Sequence, residues 1–169
     1  MPNSEAPLLA VAIGDPSGVG TEIAVKALAT GEPQRRSRVM LIGNHDGIVN
    51  TARTSGLDVR FARVTDPAQA RAVTGGAIPV FDDGSVTMRD YTMGQPSAAG
   101  GRATAGWIDC AVRWAEAGAI DGFIIAPVDG GSFKLAGFKK SPPSMHPENT
   151  FLLRMSGKLR MIPIGEHVL

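Results

Sequence analysis

A short glycine-rich segment directly follows the apolar run at Leu8–Ile13, and its notable members are Gly14, Asp15, Gly18 and Gly20. Glycine lets a backbone turn tightly and approach a ligand or another strand closely. The helical pattern that follows would present free N–H groups, which attract anions. The spacing matches neither the dinucleotide fingerprint nor the P-loop. The segment is therefore either an anion-binding turn or a tight strand-to-helix turn without a ligand, and the second interpretation is slightly favoured from these residues alone.

Two aspartates lie where a ligand contact or a structural cap would be useful. Asp15 is predicted to cap the following turn through an Asx-type hydrogen bond rather than to take part in catalysis. Asp129 follows the apolar run Phe123–Val128. It would therefore stand at the carboxyl end of a strand, where parallel sheets bind ligands. We predict that Asp129 contacts substrate, although an ordinary turn at Asp129-Gly130-Gly131 is the alternative.

The three histidines are His45, His146 and His167, and no two are spaced three or four residues apart. We therefore expect no metal site within this chain. His45 is predicted to be a solvated turn residue. His146 precedes Pro147, and proline suits the first turn of a helix. At such a helix start His146 could bind a substrate carboxylate or phosphate, or it could be an incidental residue.

Length and composition narrow the class of protein. The 169 residues fit one α/β domain or part of a larger one, and 43% hydrophobic residues suffice for a packed core. A net charge of +1 does not favour nucleic acid. No apolar run is long enough for a membrane span. Cys110, the single cysteine, cannot form an internal disulfide. We expect a cytoplasmic protein that binds neither nucleic acid nor membrane.

The order of elements predicts an α/β fold with an open, mostly parallel sheet and helices on both faces. The predicted strands are Leu8–Ile13, Val39–Ile42, Val59–Val64, Ile78–Phe81, Phe123–Val128 and Met161–Ile164. The predicted helices are Thr21–Ala29, with Thr21 as its N-cap, Asp46–Thr54, Pro67–Val73, Ala103–Ala117 and Pro147–Met155. Residues 82–101 are predicted to form a hairpin, an arm or a domain crossover. Ligands should bind where residues 14–20, 43–45 and 127–133 follow three strands.

Three blocks of the sequence form a recognisable set, namely Ala12–Ile23, Gly100–Val128 and Ala136–Glu148. The first is similar to a GDPAGIGPEI motif, the second to a helix followed by a strand ending in (A/T)-x-P, and the third to an AG…GHTE block. Together and in this order they resemble the 4-hydroxythreonine-4-phosphate dehydrogenase family of vitamin B6 biosynthesis and its paralogues. Family members are about twice this length, so the resemblance implies that residues 1–169 are the N-terminal part of a two-domain dehydrogenase whose C-terminal half is absent.

The resemblance implies an isocitrate/isopropylmalate dehydrogenase-like fold and a homodimer whose active site draws on both subunits. It implies oxidation of the secondary alcohol of a hydroxy acid by NAD or NADP, with loss of a carboxylate in the B6 enzyme. A divalent metal (Zn, Mg, Mn or Co) would assist as a Lewis acid. Its ligands would lie beyond Leu169, so this chain alone should be inactive. His146 is implied to contact substrate.

Two positions depart from the family pattern. Pro147 stands where the family has a threonine, and Gly130 stands where it has a lysine. Lost polar partners change specificity strongly. The substrate is therefore 4-phosphooxy-threonine or a related compound, such as another hydroxy acid, a sugar-acid phosphate or a cyclic dihydrodiol carboxylate. The alternatives are a non-catalytic anion-binding or interaction module on the same scaffold, and an unrelated small α/β domain that binds an anion at residues 14–20.

Overall fold

A five-stranded parallel sheet forms the centre of the protein, whose computed structural model describes residues 6–139, 141–145 and 153–162. Along the sheet the strand order is β3-β4-β2-β1-β5. The strands are β1 (Leu8–Ala12), β2 (Arg38–Ile42), β3 (Phe61–Val64), β4 (Ile78–Phe81) and β5 (Gly122–Ile125). The predicted α/β class with a mostly parallel sheet is confirmed.

Helices connect successive strands. They are α1 (Gly20–Ala29), α2 (His45–Thr54), α3 (Pro67–Ala72), α4 (Ala98–Glu116) and α5 (Gly130–Leu135), with short 3-10 turns at Pro33–Arg35 and Pro143–Met145. Right-handed crossovers place α1 and α2 on one face of the sheet and α3 and α4 on the other. The contact between α1 and α2 agrees with this arrangement.

The core lies on both sides of β1 and β2. Met40, Leu41 and Ile42 of β2 are fully buried, as expected for a strand covered on two faces. From α4, Trp107 and Ile108 are also fully buried. The sheet and its longest helix therefore form a single apolar core that holds the strand ends in place.

Two predicted helix starts are wrong. The longest helix begins at Ala98, five residues before the predicted Ala103, because Ser97 caps it by accepting a hydrogen bond from Gly100 N at 3.0 Å. Residues 98–101 thus belong to α4, and residues 82–97 form a loop without strands rather than a hairpin. In α1 the N-cap is Val19, which makes no side-chain cap bond, and Thr21 is buried inside the helix.

The last described segment is an antiparallel hairpin of β6 (Arg154–Ser156) and β7 (Leu159–Met161). The predicted helix Pro147–Met155 is therefore wrong at its end, and its residues 147–152 lie outside the described residues. Of the predicted strand Met161–Ile164, the first residue ends β7 and the last two lie outside the described residues. Gly157, with φ +55°, sits in the turn between β6 and β7, where a hairpin favours glycine.

Candidate functional site

Three loops meet at the carboxyl edge of the sheet, because β2, β1 and β5 are neighbouring parallel strands. Ile13 N donates to Ile42 O at 3.1 Å, and Asp15 N donates to Pro127 O at 3.2 Å. These bonds join the loops after β1, β2 and β5. The predicted meeting of residues 14–20, 43–45 and 127–133 is confirmed, and we call this region the carboxyl edge.

The glycines of residues 14–20 bring backbone against backbone. Gly14 has φ +74°, and a Cβ on it would lie 2.1 Å from Pro127 O. A Cβ on Gly20 would lie 2.2 Å from Ile13 O. Gly18 N donates to Asp15 O at 3.0 Å, which closes the turn. Close packing thus accounts for Gly14 and Gly20 without any ligand.

Asp15 occupies the inside of this turn and is 2% exposed. Its Oδ1 accepts hydrogen bonds from Ser17 N at 2.8 Å and Ser17 Oγ at 2.6 Å, so the predicted Asx-type cap is confirmed. A Cβ on Gly100 would lie 3.3 Å from the same oxygen, so the carboxylate faces the first turn of α4. The positive end of that helix dipole stabilises a carboxylate there.

This carboxylate also bears on the anion-binding interpretation. Among the described residues, Asp15 Oδ2 is a buried acceptor without a hydrogen-bond partner. A negative group inside the turn repels a second anion, and it accepts hydrogen bonds rather than donating them. The electrostatics of residues 14–20 therefore favour a structural turn over a phosphate cradle.

Asp129 is the N-cap of α5, and its Oδ1 accepts from Ser132 N at 2.6 Å. Ser132 Oγ in turn accepts from Ser97 N at 3.1 Å, which ties the start of α5 to the start of α4. Asp129 is half-buried, whereas the adjacent Gly130 is exposed and has open space where a side chain would project. A substrate contact by Asp129 stays a prediction, and its structural role as a cap is observed.

The loop after β2 is fixed by Asn44. Its Oδ1 accepts from Gly47 N at 2.8 Å to cap α2, and its Nδ2 donates to Val86 O at 3.0 Å. His45 is the first residue of α2 with a side chain only 16% exposed, so its prediction as a solvated turn residue is wrong. The helix cap forces His45 into the first turn, where its Nδ1 lies 3.1 Å from Asp46 Oδ1.

A charged network beside α2 was missed from the sequence. Arg63 of β3 lies 2.6 Å from Asp46 Oδ1 and 3.2 Å from Asp82 Oδ2. Asp82 Oδ2 also accepts from His45 N at 2.8 Å. The hydrogen bond from His45 and the charge of Arg63 lower the pKa of Asp46. The sequence could have indicated this network from chain position alone, because Arg63, Asp82 and Asp46 all fall at or just after the carboxyl ends of neighbouring strands.

The comparisons with known proteins decide the family. A family model described as pyridoxal phosphate biosynthetic protein PdxA matches residues 35–163. The chain belongs to this family. A D-threonate 4-phosphate dehydrogenase of Bordetella bronchiseptica is 32% identical over 138 residues, which cover 80% of this chain and 39% of the relative.

Solved structures of PdxA-type dehydrogenases share the fold. A 4-hydroxythreonine-4-phosphate dehydrogenase from Burkholderia phymatum aligns with a TM-score of 0.85 and 27% identity, over 96% of this chain and 51% of that one. A terephthalate 1,2-cis-dihydrodiol dehydrogenase from Burkholderia xenovorans aligns with a TM-score of 0.69 and 30% identity, over 94% of this chain and 47% of that one. The fold is of the isocitrate/isopropylmalate dehydrogenase type. The chain spans about half the length of the relatives it matches.

Two residues that the family resemblance implicates, His146 and Pro147, fall outside the described residues, and so does His167. Across residues 6–139, 141–145 and 153–162, no three His, Cys, Asp or Glu side chains form a group that could hold a metal ion. The helices in these ranges include none that is long and apolar enough to span a membrane.

Proposed function

We propose that this chain is the N-terminal half of a dehydrogenase that oxidises the secondary alcohol of an anionic hydroxy acid. NAD or NADP would accept the hydride, and a divalent metal (Zn, Mg, Mn or Co) would assist. Loss of CO2 would follow where one carbon separates the substrate's carboxylate from the new ketone, because the electrons of the broken C–C bond then form the enolate of that ketone. The observation that carries this proposal is the PdxA-family match over residues 35–163, together with a fold shared along nearly the whole chain.

The geometry supports a scaffolding role for this half. The carboxyl edge holds two helix starts, α4 and α5, joined through Ser97 and Ser132. Such an edge is where open α/β sheets bind ligands. Asp129 and the exposed Gly130 would stand at the substrate side, with His146 from the following segment as the group that hydrogen-bonds the substrate anion.

The metal and the nicotinamide would be held elsewhere. The described residues do not assemble a metal ligand set, and Asp15 fills the turn that a pyrophosphate would need. We propose that both sites lie in the part of the relatives' length that this chain does not match, and that a homodimer in the cytoplasm completes the active site. This chain's own residues would position the substrate.

The substrate class follows from the relatives' names, which denote oxidation of 4-hydroxythreonine 4-phosphate, D-threonate 4-phosphate and a terephthalate dihydrodiol. Each of these compounds carries an alcohol and an anionic group. Since the lysine expected by resemblance is replaced by Gly130, we propose a substrate that places less negative charge at the start of α5 than a phosphate does.

A chimera tests the proposal. The unmatched half of the Burkholderia phymatum dehydrogenase would be joined to residues 1–169, and NADH formation would be followed with Mg²⁺, Mn²⁺ or Zn²⁺. The substrates would be 4-phosphooxy-threonine, D-threonate 4-phosphate and a cis-dihydrodiol carboxylate. We expect turnover of at least one compound by the chimera and none by residues 1–169 alone. A chimera with the same overall fold as its parents that turns over none of the compounds would contradict the proposal.

A non-catalytic module on the same scaffold is the second candidate, favoured by the missing cation at Gly130. The chimera carrying Gly130→Lys separates the two, because the open space at this position accepts a side chain without a clash. If turnover appears only with the lysine, the natural chain is the non-catalytic module. Turnover in the unchanged chimera favours the dehydrogenase.

A further inference from the structure

A cavity of about 530 Å³ lies at the amino edge of the sheet, opposite the carboxyl edge. It is bounded by the start of β2 and by residues 70–79, which run from α3 into β4. Its volume falls in the range of small-molecule sites, about 300–1,000 Å³. Because it lies across the sheet from the proposed active site, that site does not explain it.

Two arginines line this cavity, and they differ in their partners. Arg71 is neutralised by Asp121, with Nη2 and Oδ2 3.0 Å apart. Arg38 donates through Nη1 to the carbonyl oxygen of Arg71, and its Nε is buried without a hydrogen-bond partner among the described residues. Within the same described residues, Arg38 forms no ion pair, and the residues that line the cavity include no carboxylate.

A half-buried guanidinium without a counter-ion has lost part of its hydration, and an anion that enters the cavity would offset that loss. The rest of the wall indicates what else that anion carries. Val39, Val73 and Ile78 supply apolar surface beside Arg38. Gln34 also lines the cavity and has a buried Oε1 without a partner among the described residues. The wall therefore combines one cation without a counter-ion and a mainly aliphatic surface.

We propose that this cavity binds a small aliphatic monocarboxylate. The carboxylate pairs with the Arg38 guanidinium, and the hydrocarbon body packs on Val39, Val73 and Ile78. A second cavity of about 450 Å³ shares Gln34, Gly76 and Ile78 with the first. Its wall includes Asp58 and Arg60, so it does not extend the apolar surface, and the hydrocarbon body of the ligand should be short.

Titration followed by ¹H–¹⁵N NMR tests the proposal on the whole chain. The probe is 3-methylbutanoate, its uncharged match is 3-methylbutanamide, and inorganic phosphate tests for a plain anion site. The amides of Gly75 and Gly76 report on the cavity, since both glycines line it. We expect saturable shifts of these amides with 3-methylbutanoate. The charged hydrogen bond is lost in the amide compound, whose binding should be weaker by about tenfold to a hundredfold.

Two test variants and one control locate the interaction. Arg38→Met keeps the length of the side chain and removes the charge, and binding should fall by about tenfold or more. Arg36→Met removes an exposed charge two residues away and should leave binding unchanged. Ala77→Leu adds apolar volume at the cavity wall and keeps Arg38, so it should weaken 3-methylbutanoate even if Arg38→Met fails to fold.

Three results would overturn the proposal. The first is equal binding of 3-methylbutanoate and 3-methylbutanamide, and the second is tighter binding of phosphate than of the carboxylate. The third is a titration with 3-methylbutanoate in which the amide signals of Gly75 and Gly76 do not shift, or in which they shift just as much in Ala77→Leu as in the parent. Because none of these measurements uses turnover, the outcome is independent of the dehydrogenase proposal.

Discussion

The two edges of the sheet are built in opposite ways. At the carboxyl edge, backbone packs directly on backbone, as where Gly14 meets Pro127 O. At the amino edge, a long side chain lines a cavity and bonds to the backbone, as where Arg38 donates to the Arg71 carbonyl. Where backbone meets backbone, as at Gly14 and Gly20, almost no added atom is tolerated, whereas the amino edge can repack around a ligand. A carboxyl edge fixed in this way can hold Asp129 and the helix starts at constant positions.

The largest expected effect comes from adding one methyl group at the carboxyl edge. Gly14→Ala combines φ +74° with a Cβ 2.1 Å from Pro127 O, and we expect a loss of about 3–5 kcal/mol in unfolding free energy. The matched control is Gly31→Ala, with φ +73° and nothing within 4 Å of its Cβ. It should cost only about 1–2 kcal/mol. Urea denaturation measures both, and equal losses would show that strain alone, without close packing, explains Gly14.

Asn44→Ala should have the next largest effect. It removes the cap of α2 and leaves the buried Val86 carbonyl without its donor. We expect a loss of about 2 kcal/mol. Asn50→Ala, within the same helix, should change stability by less than about 0.5 kcal/mol. A thermal melt in which the two variants coincide would mean that the loop after β2 is held by other contacts.

Ser97→Ala tests whether the junction between α4 and α5 depends on its cap. The cap bond to Gly100 N is lost, and we expect a cost of about 1 kcal/mol. The bond from Ser97 N to Ser132 Oγ uses the backbone and remains. Ser85→Ala, at an exposed loop position, is the control and should be neutral. Hydrogen exchange at the first turn of α4 should accelerate in Ser97→Ala alone.

The smallest effect concerns pH at the amino edge. The backbone N–H of Leu8 and the Arg71 guanidinium lower the pKa of Asp121. A lowered folded-state pKa adds stability that is full above the unfolded value of about 3.9 and is lost as the pH falls through the folded value. Asp121→Asn should therefore have a lower unfolding free energy than the parent at neutral pH. On acidification below about pH 4, its unfolding free energy should fall by less than the parent's does.

Denaturant midpoints at neutral and acidic pH measure this difference. Asp46, Asp66 and Asp90 also have lowered pKa values, so Asp121→Asn should keep part of the acid sensitivity. A variant whose stability falls as steeply as the parent's would show that Asp121 contributes nothing to the pH dependence.

Much of the sheet was predictable from the sequence because its strands are continuous apolar runs. Ile78–Phe81 has the predicted bounds, and Leu8–Ala12 and Arg38–Ile42 differ from the predictions by one residue. The first residues of the helices were harder to predict. Gly100 and Gly101 are typical of loops, yet they lie inside α4, which Ser97 caps. Position 101 requires glycine because a Cβ there would lie 2.2 Å from Ser132 O. That requirement comes from a tertiary contact, so a local pattern reads this glycine as a loop residue.

The location of the candidate site could be predicted from the sequence, whereas the roles of its residues were harder to predict. Parallel strands guarantee that loops after neighbouring strands share an edge, so residues 14–20 and 127–133 were placed correctly. The cap made by Asp15 was expected from its turn, whereas the cap made by Asp129 was only an alternative. The cavity beside Arg38 left no signal, because its walls come from segments about thirty residues apart that only the fold brings together.

The position of β1 between β2 and β5 has a consequence for how the chain folds. Leu8 N bonds to the Asp121 side chain, 113 residues away in sequence. During synthesis, β1 can pair with β2 early but must wait for β5 before its other side is covered. The nascent sheet thus carries an open apolar strand edge until almost three quarters of this sequence has emerged. Such an intermediate is prone to aggregation, and conditions that slow translation between residues 64 and 122 should lower the soluble yield.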